Sequence, residues 1–290
     1  DIFALQDEIR QKIVLALKVK LTPEEQERFQ RAPTNNLEAY DFYLRGLEPF
    51  FRAYYETKKE LNEQARQMFE KAVEVDPRYA GACAWLAWTH FLDWLQRWNP
   101  DSAQSLAQAF DLAQRALALD DALSVPHQVL SNVYLWKKQH EQALAEAEQA
   151  IALDTNNADG YVILGQVLSF VGRPEEAIGL VEKAMRLNPR YPVWYLLFLG
   201  VAHRGAGRWE EALTPLKKLL TLEPNYWPAH VNLAACYAEL GREAEARTEG
   251  AEVLRINPHF SLEVFRKTLA HKDPADSERF IAPLSKAGLK

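Results

Sequence analysis

The chain is poor in several things at once, and each shortage closes off a class of function. It has 2 cysteines in 290 residues, too few for a disulfide scaffold or a four-cysteine zinc site. Cys83 and Cys236 therefore read as small buried hydrophobes. Long apolar runs are missing too: the longest, Val193 to Ala202, falls far short of the roughly 20 residues of a spanning helix. No membrane span is expected. Positive charge is not in excess, because 34 Lys and Arg stand against 40 Asp and Glu, a formal charge of −6. A broad nucleic-acid footprint is not expected on that balance, which leaves room only for a local basic patch. The opening Asp1-Ile2-Phe3-Ala4 carries neither an initiator Met nor a signal peptide, and reads as the start of a piece cut from a longer protein. A cytoplasmic location is the expectation.

Catalytic motifs are absent as well. No Gly-x-x-x-x-Gly-Lys-Ser/Thr run occurs, and Gly205-Ala206-Gly207 lacks the third glycine and preceding strand of a dinucleotide turn. His140-Glu141 begins like a metalloprotease helix, but Leu144 stands where the second His belongs. Asp154 to Gly160 imitates a calcium loop with its glycine one place late and Gly165 at the twelfth position instead of Glu. The pairs Glu24-Glu25, Glu175-Glu176 and Glu210-Glu211 fall in first turns of helices, where the dipole favours them. His90, His127, His203 and His230 are dispersed and read as packed side chains. The expectation is no catalytic residue, no metal and no cofactor.

What is present is a repeat. With 48% hydrophobic and 11% aromatic residues, the chain has the apolar surface to fold. Asp or Pro marks recur at Val75-Asp76-Pro77, Leu119-Asp120, Leu153-Asp154-Thr155, Leu187-Asn188-Pro189, Leu222-Glu223-Pro224 and Ile256-Asn257-Pro258. From Thr155 to Pro189, Pro224 and Pro258 the steps are 34, 35 and 34 residues. Small residues recur in pairs: Gly165 with Ala177, Gly200 with Ala212, Ala234 with Ala246. They allow two helix backbones to approach closely, while larger neighbours fill the gap to the next unit. Gly172, Gly207 and Gly241 fall where the first helix of each pair must end, and Pro174 opens a second helix. Two earlier units are less regular. Pro49 should kink the first, Pro215 should bend the fifth, and about ten inserted residues, near 93–102, are expected as a loop carrying Trp94 and Trp98.

This pattern resembles the tetratricopeptide repeat family. The resemblance implies an all-α fold: a right-handed superhelical solenoid of about six helix-turn-helix repeats over 37–258, with helical caps at 1–36 and 259–290. At the N-terminal end, Ile2, Leu5, Ile9, Ile13 and Leu17 share a helix face, and Thr22-Pro23-Glu24-Glu25 reads as a capping box. The flanks, such as Asn36-Leu37-Glu38-Ala39-Tyr40 and Lys272-Asp273-Pro274, resemble the C-terminal repeat regions of multidomain bacterial signalling proteins. There a class III cyclase, winged-helix or kinase head precedes the array.

In such an array the A helices line the concave side. Their inward positions here are Trp88, Phe91, Gln128, Asn132, Leu135, Val162, Gln166, Trp194, Leu197, Val201 and Arg204. The expected function is a non-catalytic scaffold that binds a protein or peptide partner in this neutral-to-apolar groove. Asn132 and Gln166 are expected to pair with a peptide backbone. Trp94, Trp98 and Phe198 are interface candidates, with Trp94 and Trp98 either plugging the groove or extending it. The alternative function is a homodimer that pairs the heads of the parent protein.

Overall fold

The computed structural model describes residues 33–290 together with Glu8, Ile9, Lys12, Ile13 and Ala16. The capping box and most of the amphipathic stripe expected near the N-terminus lie outside the described residues. Among the described residues there are fourteen α-helices and no strand. Twelve form antiparallel A/B pairs: α1 (Leu37–Glu56) with α2 (Lys59–Val75), α3 (Ala80–Leu95) with α4 (Ser102–Leu119), α5 (Ser124–Trp136) with α6 (His140–Leu153). The last three pairs are α7 (Ala158–Phe170) with α8 (Pro174–Leu187), α9 (Val193–Gly205) with α10 (Trp209–Leu222), and α11 (Trp227–Glu239) with α12 (Glu243–Ile256). Each pair packs on the next, which makes the molecule an α-solenoid.

Local chemistry explains the hairpins. The recurring Asp and Asn marks close turns between units: Asp76, Asp154 and Asn188 accept the backbone N–H two residues on, at 3.0, 3.2 and 3.2 Å, an Asx turn. Within each hairpin the reversal needs one left-handed residue. In the last three units it is Gly172, Gly207 or Gly241, at φ +83°, +72° and +73°. In the first three it is Thr57, Arg97 or Lys138, at φ 52°, 55° and 59°, residues that gave no signal in the sequence. The small residues on facing helices work as expected. A Cβ added at Gly200 would lie 2.6 Å from Leu216, and one at Gly165 would lie 2.9 Å from Val181.

The expected ten-residue inserted loop is corrected. Only residues 96–101 are outside helix; the rest of the extra length makes α3 16 residues and α4 18 residues long, against 13 and 14 in the third unit. Continuing a helix satisfies each added N–H and C=O internally, which a longer loop would leave to solvent. Pro49 and Pro215 lie inside α1 and α10, and both helices continue through them.

After α12 the chain forms α13 (Leu262–Thr268), crosses in non-helical backbone through 269–273, and ends in α14 (Pro274–Lys286). The final helix packs on α11 and α12, burying Phe280, Ile281 and Leu284 together with Leu289 beyond it. Leu262 N–H donates to the Lys290 carbonyl at 2.8 Å, which ties the last residue to the start of α13.

Candidate functional site

The A-helix residues expected to line a groove are mostly covered. Trp88, Phe91, Gln128, Asn132, Leu135, Val162, Gln166, Val201 and Arg204 are each at most 8% exposed. Trp194, Leu197 and Phe198 are partly buried, as are Trp94 and Trp98.

Three things cover them. The first is a ladder of rings, Trp88–Phe91–Trp94–Trp136–Phe170–His271, with successive centroids 5.5, 5.6, 5.5, 5.9 and 4.9 Å apart. Contacts at this separation and tilt are favourable beyond the area they bury. Trp94 therefore sits inside the ladder, between Phe91 on its own helix and Trp136 of the next unit. The second is the end of α1. Its Tyr54 ring lies 5.7 Å from Trp88 and 5.4 Å from Trp194, so the first unit reaches the fifth. Beside this contact the Tyr195 hydroxyl donates to Asp159 at 2.5 Å, and burial raises the Asp159 carboxyl above its ordinary value.

The third is the C-terminal crossing. Ala270 is fully buried in the same hydrophobic cluster as Trp88, Phe91 and Phe170. His140 Nε2 is 2.7 Å from the Ala270 carbonyl, and the Lys272 N–H donates to the Phe170 carbonyl at 2.8 Å. Lys272 Nζ pairs with Glu141 at 2.6 Å. Further on, the Arg204 guanidinium lies 3.6 Å from the Phe280 ring centroid and its Nε donates to Asn232 at 2.9 Å. Burial lowers Arg204 to about 10, so it stays charged at neutral pH, held by an aromatic face and an amide.

The polar residues of the face divide. The Asn132 amide, expected to pair with a peptide, donates instead to the Gln128 carbonyl of its own helix at 3.0 Å. Gln128 Nε2, Trp136 Nε1 and Trp194 Nε1 are buried donors with no acceptor, each a cost of about 1–3 kcal/mol while unpaired.

Sequence reasoning missed Tyr54, Trp136, Phe170, His140 and the 269–273 crossing. Trp136 and Phe170 had a usable signal: both are the last residues of A helices, one repeat apart. The crossing had none, since residues far apart in sequence meet there. Among the described residues no group of three or more His, Cys, Asp or Glu side chains could hold a metal ion. No helix among them is long and apolar enough to cross a membrane.

Two family models, both described as tetratricopeptide repeat, match residues 158–191 and 203–264. The chain carries tetratricopeptide repeats. A Rhizobium meliloti (strain 1021) protein named "Putative adenylate cyclase 3" is 37% identical over 143 residues, 49% of this chain and 24% of that protein. The match thus spans about a quarter of that relative's length. Among solved structures, the Cut9 and Hcn1 hetero-tetramer of the APC/C superposes with a TM-score of 0.62 at 18% identity, covering 98% of this chain and 52% of that one. PilW, described as a type IV pilus biogenesis factor, gives 0.55 at 19% identity over 72% of this chain and 89% of its own. Pseudomonas aeruginosa pilF gives 0.53 at 18% over 77% and 94%. At these identities the likeness is one of fold. Repeats of this family are a protein-interaction scaffold and typically non-catalytic.

Proposed function

We propose that this chain is the non-catalytic docking part of a larger bacterial signalling protein. On this reading the array spans 37–258, the caps are 1–36 and 259–290, and the location is cytoplasmic. The partner is a protein segment in extended conformation, bound on the A-helix face where residues 269–272 of the chain's own C-terminal crossing now lie. The observation that carries this reading is the way the crossing is held. His140 and the Phe170 carbonyl address its backbone, and backbone-directed hydrogen bonds accept any extended segment whose central side chain is as small as Ala270. Trp136, whose ring packs on Phe170 beside His271 of the crossing, supplies a further donor for a partner carbonyl. The 37% identity to a protein named for cyclase activity supports the signalling context.

The test is an Ala270→Arg chain, in which the larger side chain expels the crossing from its buried position. A synthetic peptide spanning 266–276, supplied in trans, should bind this variant at least about tenfold more tightly than the parent chain. If the variant keeps its helical circular dichroism yet shows no saturable binding, the groove reading fails.

A second reading is self-association that pairs the parent's heads. It is favoured by Leu37, Leu44, Phe51 and Tyr55, which remain 51%, 43%, 37% and 38% exposed along α1, the first described helix of the array. Sedimentation at several concentrations tests it, and a monomer at all of them removes it.

A further inference from the structure

A cavity of about 300 Å3 lies between α2, α3 and the 96–101 loop. Among the described residues no hydrogen bond or ion pair joins its lining to the C-terminal crossing, although Trp98 packs against the hydrophobic cluster that includes Ala270. Its floor is Asp93, 3% exposed. The Asn62 amide donates to Asp93 at 2.8 Å and to the Thr89 carbonyl at 2.9 Å, and the Arg66 guanidinium pairs with the other carboxylate oxygen. Both amide hydrogens of Asn62 are thus used, while its fully buried Oδ1 has no partner. His90 lines the cavity, is 9% exposed, and its Nδ1 has no partner either. Burial, with the Arg66 charge adding to it, lowers His90 to about 4, so the ring is neutral. At the rim Lys59 and Glu63 lie 3.5 Å apart. Trp98 forms a wall, and its backbone N–H donates to the Asp93 backbone carbonyl at 2.9 Å.

Two cations and two anions therefore converge on one small space beside an indole. The deep pair is not saturated: among the described residues Arg66 makes a hydrogen bond only to Asp93, and a guanidinium has five N–H donors in a fork that suits a carboxylate. The carboxylates of Asp93 and Glu63 keep lone pairs for an ammonium. A simple acid placed here would face Asp93 and Glu63, and a simple amine would face Arg66 and Lys59. A molecule carrying both charges a few ångströms apart satisfies all four. The volume is at the lower end for ligand cavities, which restricts the occupant to a small molecule.

We propose that this cavity binds a free α-amino acid, its carboxylate on Arg66 and Lys59, its ammonium on Asp93 and Glu63, and its side chain against Trp98. The array would then carry a small-molecule site in addition to a protein-docking face.

The experiment titrates the full chain calorimetrically with each common free L-amino acid, and with the N-acetyl and methyl ester forms of any that bind. At least one amino acid should bind saturably at one site per chain. Blocking either its amine or its carboxylate should weaken binding at least about tenfold. Lys59→Met with Glu63→Gln, both at the exposed rim, should weaken it several-fold with the helical spectrum intact. Ala270→Arg should leave it unchanged, which separates this site from the groove. The proposal is overturned by no saturable binding of any amino acid at about 10 mM, equal binding of the blocked forms, or rim variants that bind like the parent.

Discussion

The first three units and the last three solve the same folding problem differently. The last three reverse each hairpin on a glycine and build it from helices of 13 and 14 residues. The first three reverse on Thr57, Arg97 and Lys138 in the same left-handed conformation, which disfavours residues with a Cβ. The first two also lengthen their helices, to 20 and 17 residues in one and 16 and 18 in the next. The added turns place Tyr54 and Trp94 over the A-helix face. The crossing adds a separate piece of chain over the second to fourth units, and α14 covers Arg204 and the last unit. The two units with the longest helices are the ones that also supply cover of their own.

The largest test of this contrast is Phe280→Ala. It removes a ring that is 4% exposed and uncovers the buried Arg204 cation, so a loss of about 3–5 kcal/mol is expected. Hydrogen exchange should rise in α11 to α14 well before α1 to α4, and a uniform rise would erase the distinction between the halves.

A second test uses acid. His90 in the first half and His271 in the crossing are each lowered from 6.5 to about 4, by burial first and then by Arg66 or Arg204 respectively. The unfolded chain binds these protons more readily, so the contribution of these two histidines to stability should be level above about pH 6.5, fall between 6.5 and 4, and level again below. His90→Asn and His271→Asn should each flatten part of that fall in a melting-temperature series. A variant whose slope between pH 6.5 and 4 matches the parent's would show that its histidine is not held neutral. His230 has the opposite sign. Burial opposes its charge, but the Glu249 and Pro224 hydrogen bonds together outweigh that and raise it. Its contribution is complete below 6.5 and is lost as pH rises through its folded value.

The smallest expected effect is a gain. Thr57→Gly places in the first unit the residue that the last three already use, and relief of the left-handed strain less the entropy cost of glycine should stabilise by about 0.5–1 kcal/mol. Chemical denaturation would read it, and a loss of stability would mean that the threonine makes a contact worth more than its strain.

Much of this architecture was legible in advance, and particular residues show why. Gly172, Gly207 and Gly241 announced their turns because a positive φ restricts residue type. Gly165 with Ala177, and Gly200 with Ala212, announced close helix contacts because nothing larger fits. The same register led to the A-helix side chains that were expected to share one side, and these are mostly buried. It did not tell that Asn132 would satisfy itself on Gln128, nor that the inserted residues would lengthen α3 and α4. Helix continuation and a local loop differ little in sequence pattern when both are rich in Ala and Gln.

Local spacing by itself determined the helical pairs and the glycine turns of the last three, because each depends on residues within one 34-residue period. Tertiary structure alone decided that the end of α1 reaches Trp194, that Ala270 lies among the rings of the second to fourth units, and that Arg66, His90 and Trp98 surround one cavity. These contacts join residues separated by much or most of the chain, or brought together by a short loop. Such placements follow from the summed rotation of successive units, a quantity no single repeat encodes.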